Sequence, residues 1–391
     1  MRVVMVSKAL VVGAYRRKLE ELARLPGIEL SAIVPPGWRS RYDSAPLERD
    51  HTTGYQLLVE PIVFNGRHHL HFYPTLARLL RRLRPEVLHM DEEPYNLATW
   101  HALRAGEAVH ARCLFFTWQN LPRRYPWPFS HFERANYRRA AHALAGNSAA
   151  ASVLRAKGYS GPLTIIPQFG IDPEAFQPVL DRGESWPGIE QPAMSPGGRA
   201  FVIGYAGRLV PEKGVDVLLH ACARLPFRNW RMRVMGDGPD RPRLSALSGD
   251  LGISEQVDFL GRLPSVRAPE FYRTLDVLVL PSLTRPNWAE QFGRVLVEAM
   301  ACEIPVIGSS SGEIPEVIGG GGVVFPEGDA LALAQSITSL ADNPAYSATL
   351  ARLGRSRVLM HFTNAQIAAN TFRVYEEMLD EAERQQRGRA L

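Results

Sequence analysis

Cysteine is scarce in this chain: three residues in 391 (Cys113, Cys222, Cys302), widely separated and in no CxxC spacing. An odd, scattered set excludes a disulfide framework and a cysteine-based zinc site. It suits a reducing compartment, the cytoplasm. Lysine is almost as rare. Of 45 basic residues only four are lysine (Lys8, Lys18, Lys157, Lys213). The net charge of +5 and pI near 9.2 would suit a nucleic-acid partner. No RRM, KH, helix-turn-helix or zinc-finger pattern accompanies that charge, so none is expected. No run of eighteen apolar residues occurs, so no spanning helix is expected. The opening MRVVMVSKALVVGAYRR has Lys8 inside its apolar run and no small-residue cleavage site. It reads as a first β-strand rather than a signal peptide. The cluster RHHLH (67–71) has no carboxylate or cysteine at ligand spacing, so no metal site is expected.

What is present is a repeated alternation of short β-branched runs and amphipathic segments. The length suits two domains, and the alternation implies α/β domains with mainly parallel sheets. Strands are expected at Val3–Ser7, Ile28–Pro35, Gln56–Val63, Val87–Met90 and Cys113–Thr117 in the first half. In the second they are expected at Phe201–Ala206, Trp230–Met235, Val257–Pro264 and Leu275–Leu280. Asp181–Arg199 is rich in Pro, Gly and Ser without apolar periodicity and reads as the interdomain linker. The expected layout is a first domain over 1–180, a linker over 181–199 and a second domain over 200–363. A last long helix is expected from 364. RRYPWPFSHFERANYRRAA mixes arginine, proline and aromatics. It suits an anionic membrane surface or an acceptor channel, and equally an ordinary solvated helix.

The most informative stretch is Leu280–Gly322. A strand ends at Pro281, a loop carries Glu290, and a helix opens near Phe292–Gly293 with Glu298 inside it. On one helix two residues eight apart differ by about 80° in azimuth. Both acids can therefore face one ligand only if Glu290 precedes the helix. The helix N-terminus between them offers amides and the positive end of the dipole, and Gly293 removes the side chain where an anion would approach. That is an anion site bracketed by two acids, which suits a sugar joined to a diphosphate and a ribose. Upstream, GRLVPEKG places Arg208 and Lys213 just beyond a strand end, with Gly207 freeing the turn. A planar fork and a movable point charge suit a pyrophosphate.

Glu290-QFGRVLV-Glu298 resembles the E-x7-E signature of retaining GT-B glycosyltransferases of the glycogen-synthase-like, family-4 (group 1) type. Gly207–Gly214 resembles their G-R-x-x-x-x-K-G motif. The resemblance implies two Rossmann-like domains facing across a cleft, with the last helix, 364–391, packed back on the first. It implies a hexosyltransferase that moves a sugar from a nucleotide diphosphate sugar to an acceptor hydroxyl with retention, without metal or other cofactor. Arg208, Lys213 and the helix at Gly293 would stabilise the leaving diphosphate, Glu290 would hold the transferred sugar and Glu298 the ribose. Phe292, Arg294, Gly13, Arg262, Leu263 and Gln119 would complete the donor contacts. The acceptor would be a carbohydrate or lipid-linked, in cell-envelope glycan or glycolipid synthesis at the inner membrane surface. Three positions depart from the family pattern. Gly13 stands alone where paired glycines are usual, Gln119 replaces a histidine, and Glu303 replaces a glycine just after the helix that ends at Cys302. The rival readings are an epimerase or phosphorylase on the same scaffold, or a non-enzymatic sugar-nucleotide sensor.

Overall fold

The computed structural model describes residues 1–39, 44–178, 199–264 and 267–389. The chain forms two compact units, Met1–Gly170 with Asn364–Leu391, and Ile171–Thr363. In the first unit the strands are β1 (Arg2–Val6), β2 (Glu29–Val34), β3 (Gly37–Arg39), β4 (Ser44–Pro46), β5 (Gln56–Val59), β6 (Val87–Met90), β7 (Arg112–Thr117), β8 (His142–Ala145) and β9 (Leu163–Ile165). Seven of them form a parallel sheet in the order β5-β2-β1-β6-β7-β8-β9, and β3 and β4 form a separate hairpin. The second unit holds β10 (Phe201–Ala206), β11 (Trp230–Met235), β12 (Val257–Gly261), β13 (Val277–Leu280), β14 (Val306–Ser309) and β15 (Val323–Phe325). They pair in parallel in the order β12-β11-β10-β13-β14-β15.

Runs such as VVMV and VLVL suit central parallel strands because helices cover both faces. Side chains alternate across a sheet: Val4 and Val6 enter one core of the first unit, Val3 and Met5 the other. Each sheet reverses its winding once, between β1 and β6 and between β10 and β13. Such switch points leave a crevice beyond the strand carboxyl ends, where open α/β sheets bind ligands.

The unit boundary falls at Gly170/Ile171, earlier than the expected residue 180. Tertiary bonds place the segment after it with the second unit. The Ile171 amide donates to the Phe362 carbonyl (3.0 Å), Arg273 donates to the carbonyls of Gln177 (2.9 Å) and Ala175 (3.2 Å), and the Phe176 ring packs near Tyr272. Of the expected linker, residues 181–198 lie outside the described residues. The helix Asn364–Arg389 packs on Arg17–Ala23 of the first unit. Its Tyr375 is fully buried, with its hydroxyl 2.7 Å from Nδ1 of His89.

The helix Arg294–Ala301 ends in a Schellman motif. The Ile304 amide donates to the Ala299 carbonyl and the Glu303 amide to that of Met300, both at 3.0 Å, the two bonds that define the motif. Glu303 takes the left-handed position with φ of 59°, where a Cβ costs about 1 kcal/mol. Glu303→Gly is therefore expected to raise the melting temperature by about 2 °C, measured by calorimetry. A lower value would contradict the strain.

Candidate functional site

The second unit's switch point is built by the loops after β10 and β13. The β10 loop runs through Gly207 and Arg208 into a 3-10 turn, Pro211–Lys213, closed by Gly214. The Leu283 amide donates to the Glu212 carbonyl (2.8 Å), which stitches this loop to the one after β13. Lys213 Nζ then lies 2.5 Å from Glu290 Oε2 and 5.1 Å from the centre of the Trp288 ring. The same oxygen accepts from Ser282 Oγ (2.7 Å), and the Ser282 carbonyl accepts from Ser309 Oγ (2.6 Å). The backbone of Glu290 is fixed as well. Its carbonyl accepts from the Glu313 amide (3.0 Å), and a Cβ on Gly312 would stand 2.1 Å from that carbonyl oxygen. Only glycine fits there.

Gly293 caps the following helix with φ of 72°, and its carbonyl accepts from the Leu296 amide (2.8 Å), which starts the helix at the positive end of its dipole. Glu298 lies one turn further on and is buried. One oxygen accepts from Tyr272 Oη (2.6 Å), and the other lies 2.8 Å from Arg294 Nε. Burial, then the charge and hydrogen bond of Glu298, hold the Tyr272 hydroxyl well above its usual pKa. It therefore stays a donor to that carboxylate.

The structure thus brings together Glu290 and Lys213, and separately Glu298 and Arg294. Arg208 is exposed at the end of β10, and its carbonyl accepts from Tyr205 Oη (2.8 Å). Beyond β12, Arg262 is exposed and Leu263 half-buried against the core. Phe292 turns its ring toward Phe362, with centroids 5.6 Å apart. Ser282 and Tyr272 were not anticipated. A hydroxyl following the run VLVL was the available signal for Ser282. Tyr272 had none, because its partner lies 26 residues away.

Gly13 and Gln119 belong to the first unit and are engaged within it. The Gly13 amide donates to Glu48 Oε2 (2.5 Å). Gln119 Nε2 donates to the Leu121 carbonyl (3.2 Å), while its Oε1 accepts from Lys157 Nζ (3.3 Å). Their expected contacts with a donor would have to replace these bonds.

The first unit's switch point collects charge. Glu92 lies 2.6 Å from Lys8 Nζ and 2.8 Å from His71 Nε2. Burial alone would raise its pKa, but His71 and Lys8 overcome burial and hold the carboxyl far below the usual range. Thus His71, from the RHHLH cluster, contacts a carboxylate the sequence reading had not paired with it. Asp91 lies 3.5 Å from Lys18. Glu93 accepts from Thr117 Oγ1 (2.5 Å) and the Trp118 amide (2.8 Å), yet burial outweighs these bonds and raises its pKa to about 7.

Residues 192–357 match the family model for glycosyl transferases group 1, a span that contains both motifs and the Lys213–Glu290 pair. Over this span the chain is similar to the group 1 glycosyl transferases. A GDP-mannose-dependent alpha-(1-6)-phosphatidylinositol monomannoside mannosyltransferase of Mycolicibacterium smegmatis is 31% identical over 204 residues, 51% of this chain and 52% of the relative. A D-inositol 3-phosphate glycosyltransferase of Stackebrandtia nassauensis is 34% identical over 170 residues, 41% of this chain and 36% of the relative. The matches span about half or less of these relatives' length. Among solved structures, sucrose-phosphate synthase from Thermosynechococcus elongatus matches with a TM-score of 0.70 at 20% identity, over 97% of this chain and all of that one. The UDP complex of Anabaena Alr3699/HepE matches with a TM-score of 0.71 at 17% identity, over 96% and 100%. The fold is GT-B.

A Glu93 pKa raised from 4.5 to about 7 means that the native state holds a proton that the unfolded chain has released. The contribution is complete below about pH 4.5 and is lost as pH rises through 7. The melting temperature of the wild type minus that of Glu93→Gln should therefore fall across this window. A flat difference would contradict the shifted pKa.

Proposed function

We propose that the chain transfers a hexosyl group from a nucleotide diphosphate sugar to an acceptor hydroxyl. The observation that carries this reading is the Lys213–Glu290 pair, set at the switch point of the unit that matches the group 1 model. Lys213, Arg208 and the amides of the helix opening at Gly293 would take up the negative charge that grows on the leaving diphosphate. In this reading those fixed charges do the work without a metal ion. Glu290, freed from part of its pairing when Lys213 turns to the phosphates, would hold the transferred sugar and steady positive charge at its anomeric carbon. Glu298, aimed by Tyr272 and Arg294, would bind the ribose hydroxyls. Retention would follow from attack on the face the diphosphate leaves, with the departing phosphate accepting the acceptor's proton.

The acceptor side would lie on the first unit, beyond the carboxyl ends of β1, β6 and β7. The names of the two relatives join their chemistry to an inositol phosphate or a lipid that carries one, which supports an envelope glycolipid as the acceptor class here. Three buried, free cysteines support a reducing, cytoplasmic location. Among the described residues no helix is long and apolar enough to cross a membrane. Contact with the inner membrane surface, in this reading, would be peripheral.

Thermal-shift titrations with UDP, GDP and ADP in EDTA test the donor site directly, because a ligand of the native state raises the melting temperature. One nucleotide should shift it selectively without metal. No shift with any of them, with or without magnesium, would remove the nucleotide-sugar chemistry. Lys213→Ala and Glu290→Ala should each lower turnover of the matching nucleotide sugar at least about a hundredfold, while melting temperatures move by only a few degrees. Near-normal rates in both would refute the site.

A further inference from the structure

The helix Phe129–Arg139 in the first unit has two faces with different tasks. Phe132, Glu133, Ala135 and Asn136 are buried, and His131, Arg134 and Arg138 are exposed. At 100° per residue the exposed three fall within about 60° of one another and run about 10 Å along the axis. Just ahead of the helix Trp127 is 80% exposed, more than any other large hydrophobic side chain described. Arg124 is exposed beside it in sequence. None of Arg124, Arg134 and Arg138 is paired with a carboxylate among the described residues. The helix's single acid, Glu133, is turned inward to Lys157, and its Arg139 is engaged by Glu107 at 2.8 Å.

An indole left in water beside uncompensated guanidinium groups is unfavourable for a surface with no task. We propose that this face docks on an anionic lipid bilayer, with Trp127 at the level of the headgroups and Arg124, Arg134 and Arg138 over the lipid phosphates. A strip of cations with one amphipathic aromatic wedge matches a surface that offers apolar depth and negative charge together. A soluble polyanion offers only the charge. The inner face of the helix links docking to the strand ends. Glu133 holds Lys157, and Lys157 donates to Gln119 just beyond β7. A docked helix therefore sets the loop after β7 beside the bilayer, where a lipid-linked acceptor would present its headgroup. The surface adds a partner to the function proposed above, but the docking is read without any donor, so the two fail separately.

The test is sedimentation of the full chain with phosphatidylcholine vesicles, with and without phosphatidylglycerol, at low and high salt. Binding is expected only to the anionic vesicles and is expected to fall with salt. The variant with Arg124→Ala, Arg134→Ala and Arg138→Ala should bind roughly a hundredfold less, at about fivefold per cation, with an unchanged melting temperature. In the wild type, lipids brominated in the upper acyl chain should quench part of the tryptophan emission, and Trp127→Phe should lose that part. Three results would overturn the proposal: equal binding to neutral vesicles, wild-type binding by the triple variant, or binding to heparin with none to vesicles. Quenching in the wild type needs no substitution, so a poorly folded variant leaves the test intact.

Discussion

The Lys213–Glu290 pair is the constraint on which the second unit's site depends. A largely buried carboxylate is costly unless it is paired and hydrogen-bonded, and here one lysine and one serine supply both needs on the same oxygen. Each partner needs its own support. Lys213 is placed by the turn that Gly214 closes against Pro281, Ser282 by its position two residues past the end of β13, and Glu290 by Gly312 and the Glu313 amide. Three strand-end loops therefore converge on one residue, two on the Oε2 of Glu290 and the third on its backbone carbonyl. The pair also implies a trade. The ammonium group that neutralises Glu290 is the mobile cation nearest to where the reading sets a diphosphate, so binding an anion there and freeing the acid become one event.

The two units share a topology but use it differently, and the residues at the strand ends explain the contrast. Beyond β1 and β6 the charges are answered locally. Glu92 has both Lys8 and His71, and Asp91 has Lys18. The Gly13 amide, which the family resemblance assigned to the donor, already binds Glu48. Beyond β10 and β13, one ion pair sits beside an exposed arginine and a helix N-terminus. An anion arriving at the second unit meets donors, while one arriving at Gly13 meets a carboxylate. The departure from paired glycines at Gly13 thus has a physical counterpart in the fold.

Most of the scaffold was legible because buried parallel strands are written as unbroken β-branched runs. Val87–Met90, Phe201–Ala206 and Trp230–Met235 appear at the expected bounds. The hairpin of β3 and β4 and the three-residue β9 are too short to carry a periodic signal. Ile171–Pro178 was assigned to the wrong unit because its bonds reach Arg273 and Phe362, which nothing local reveals. In the proposed site, Glu290, Glu298 and Lys213 were legible as candidates by spacing and residue type. Their orienting partners were not. Tyr272 meets Glu298 only through the packing of its helix, and Glu48 reaches Gly13 from an irregular segment 35 residues away.

The four lysines connect composition to mechanism. Lys8 contacts Glu92, Lys18 contacts Asp91, Lys157 contacts Glu133 and Lys213 contacts Glu290, and every one of those carboxylates is buried. A chain that otherwise uses arginine for its cations puts every lysine to this task. The reason is steric and electrostatic. A guanidinium carries five donors in a rigid fork and needs partners for most of them. An ammonium group is a compact point charge on a flexible stem, and it can reach a single inward oxygen and swing away again. Arginine serves exposed faces such as 124, 134 and 138, where its donors can meet water or phosphate. Where arginine does meet a buried acid, as Arg294 meets Glu298 and Arg243 meets Asp240, its own side chain stays 36% and 50% exposed, whereas none of the four lysines exceeds 20%, so the compact ammonium stands where the cation itself is drawn inward.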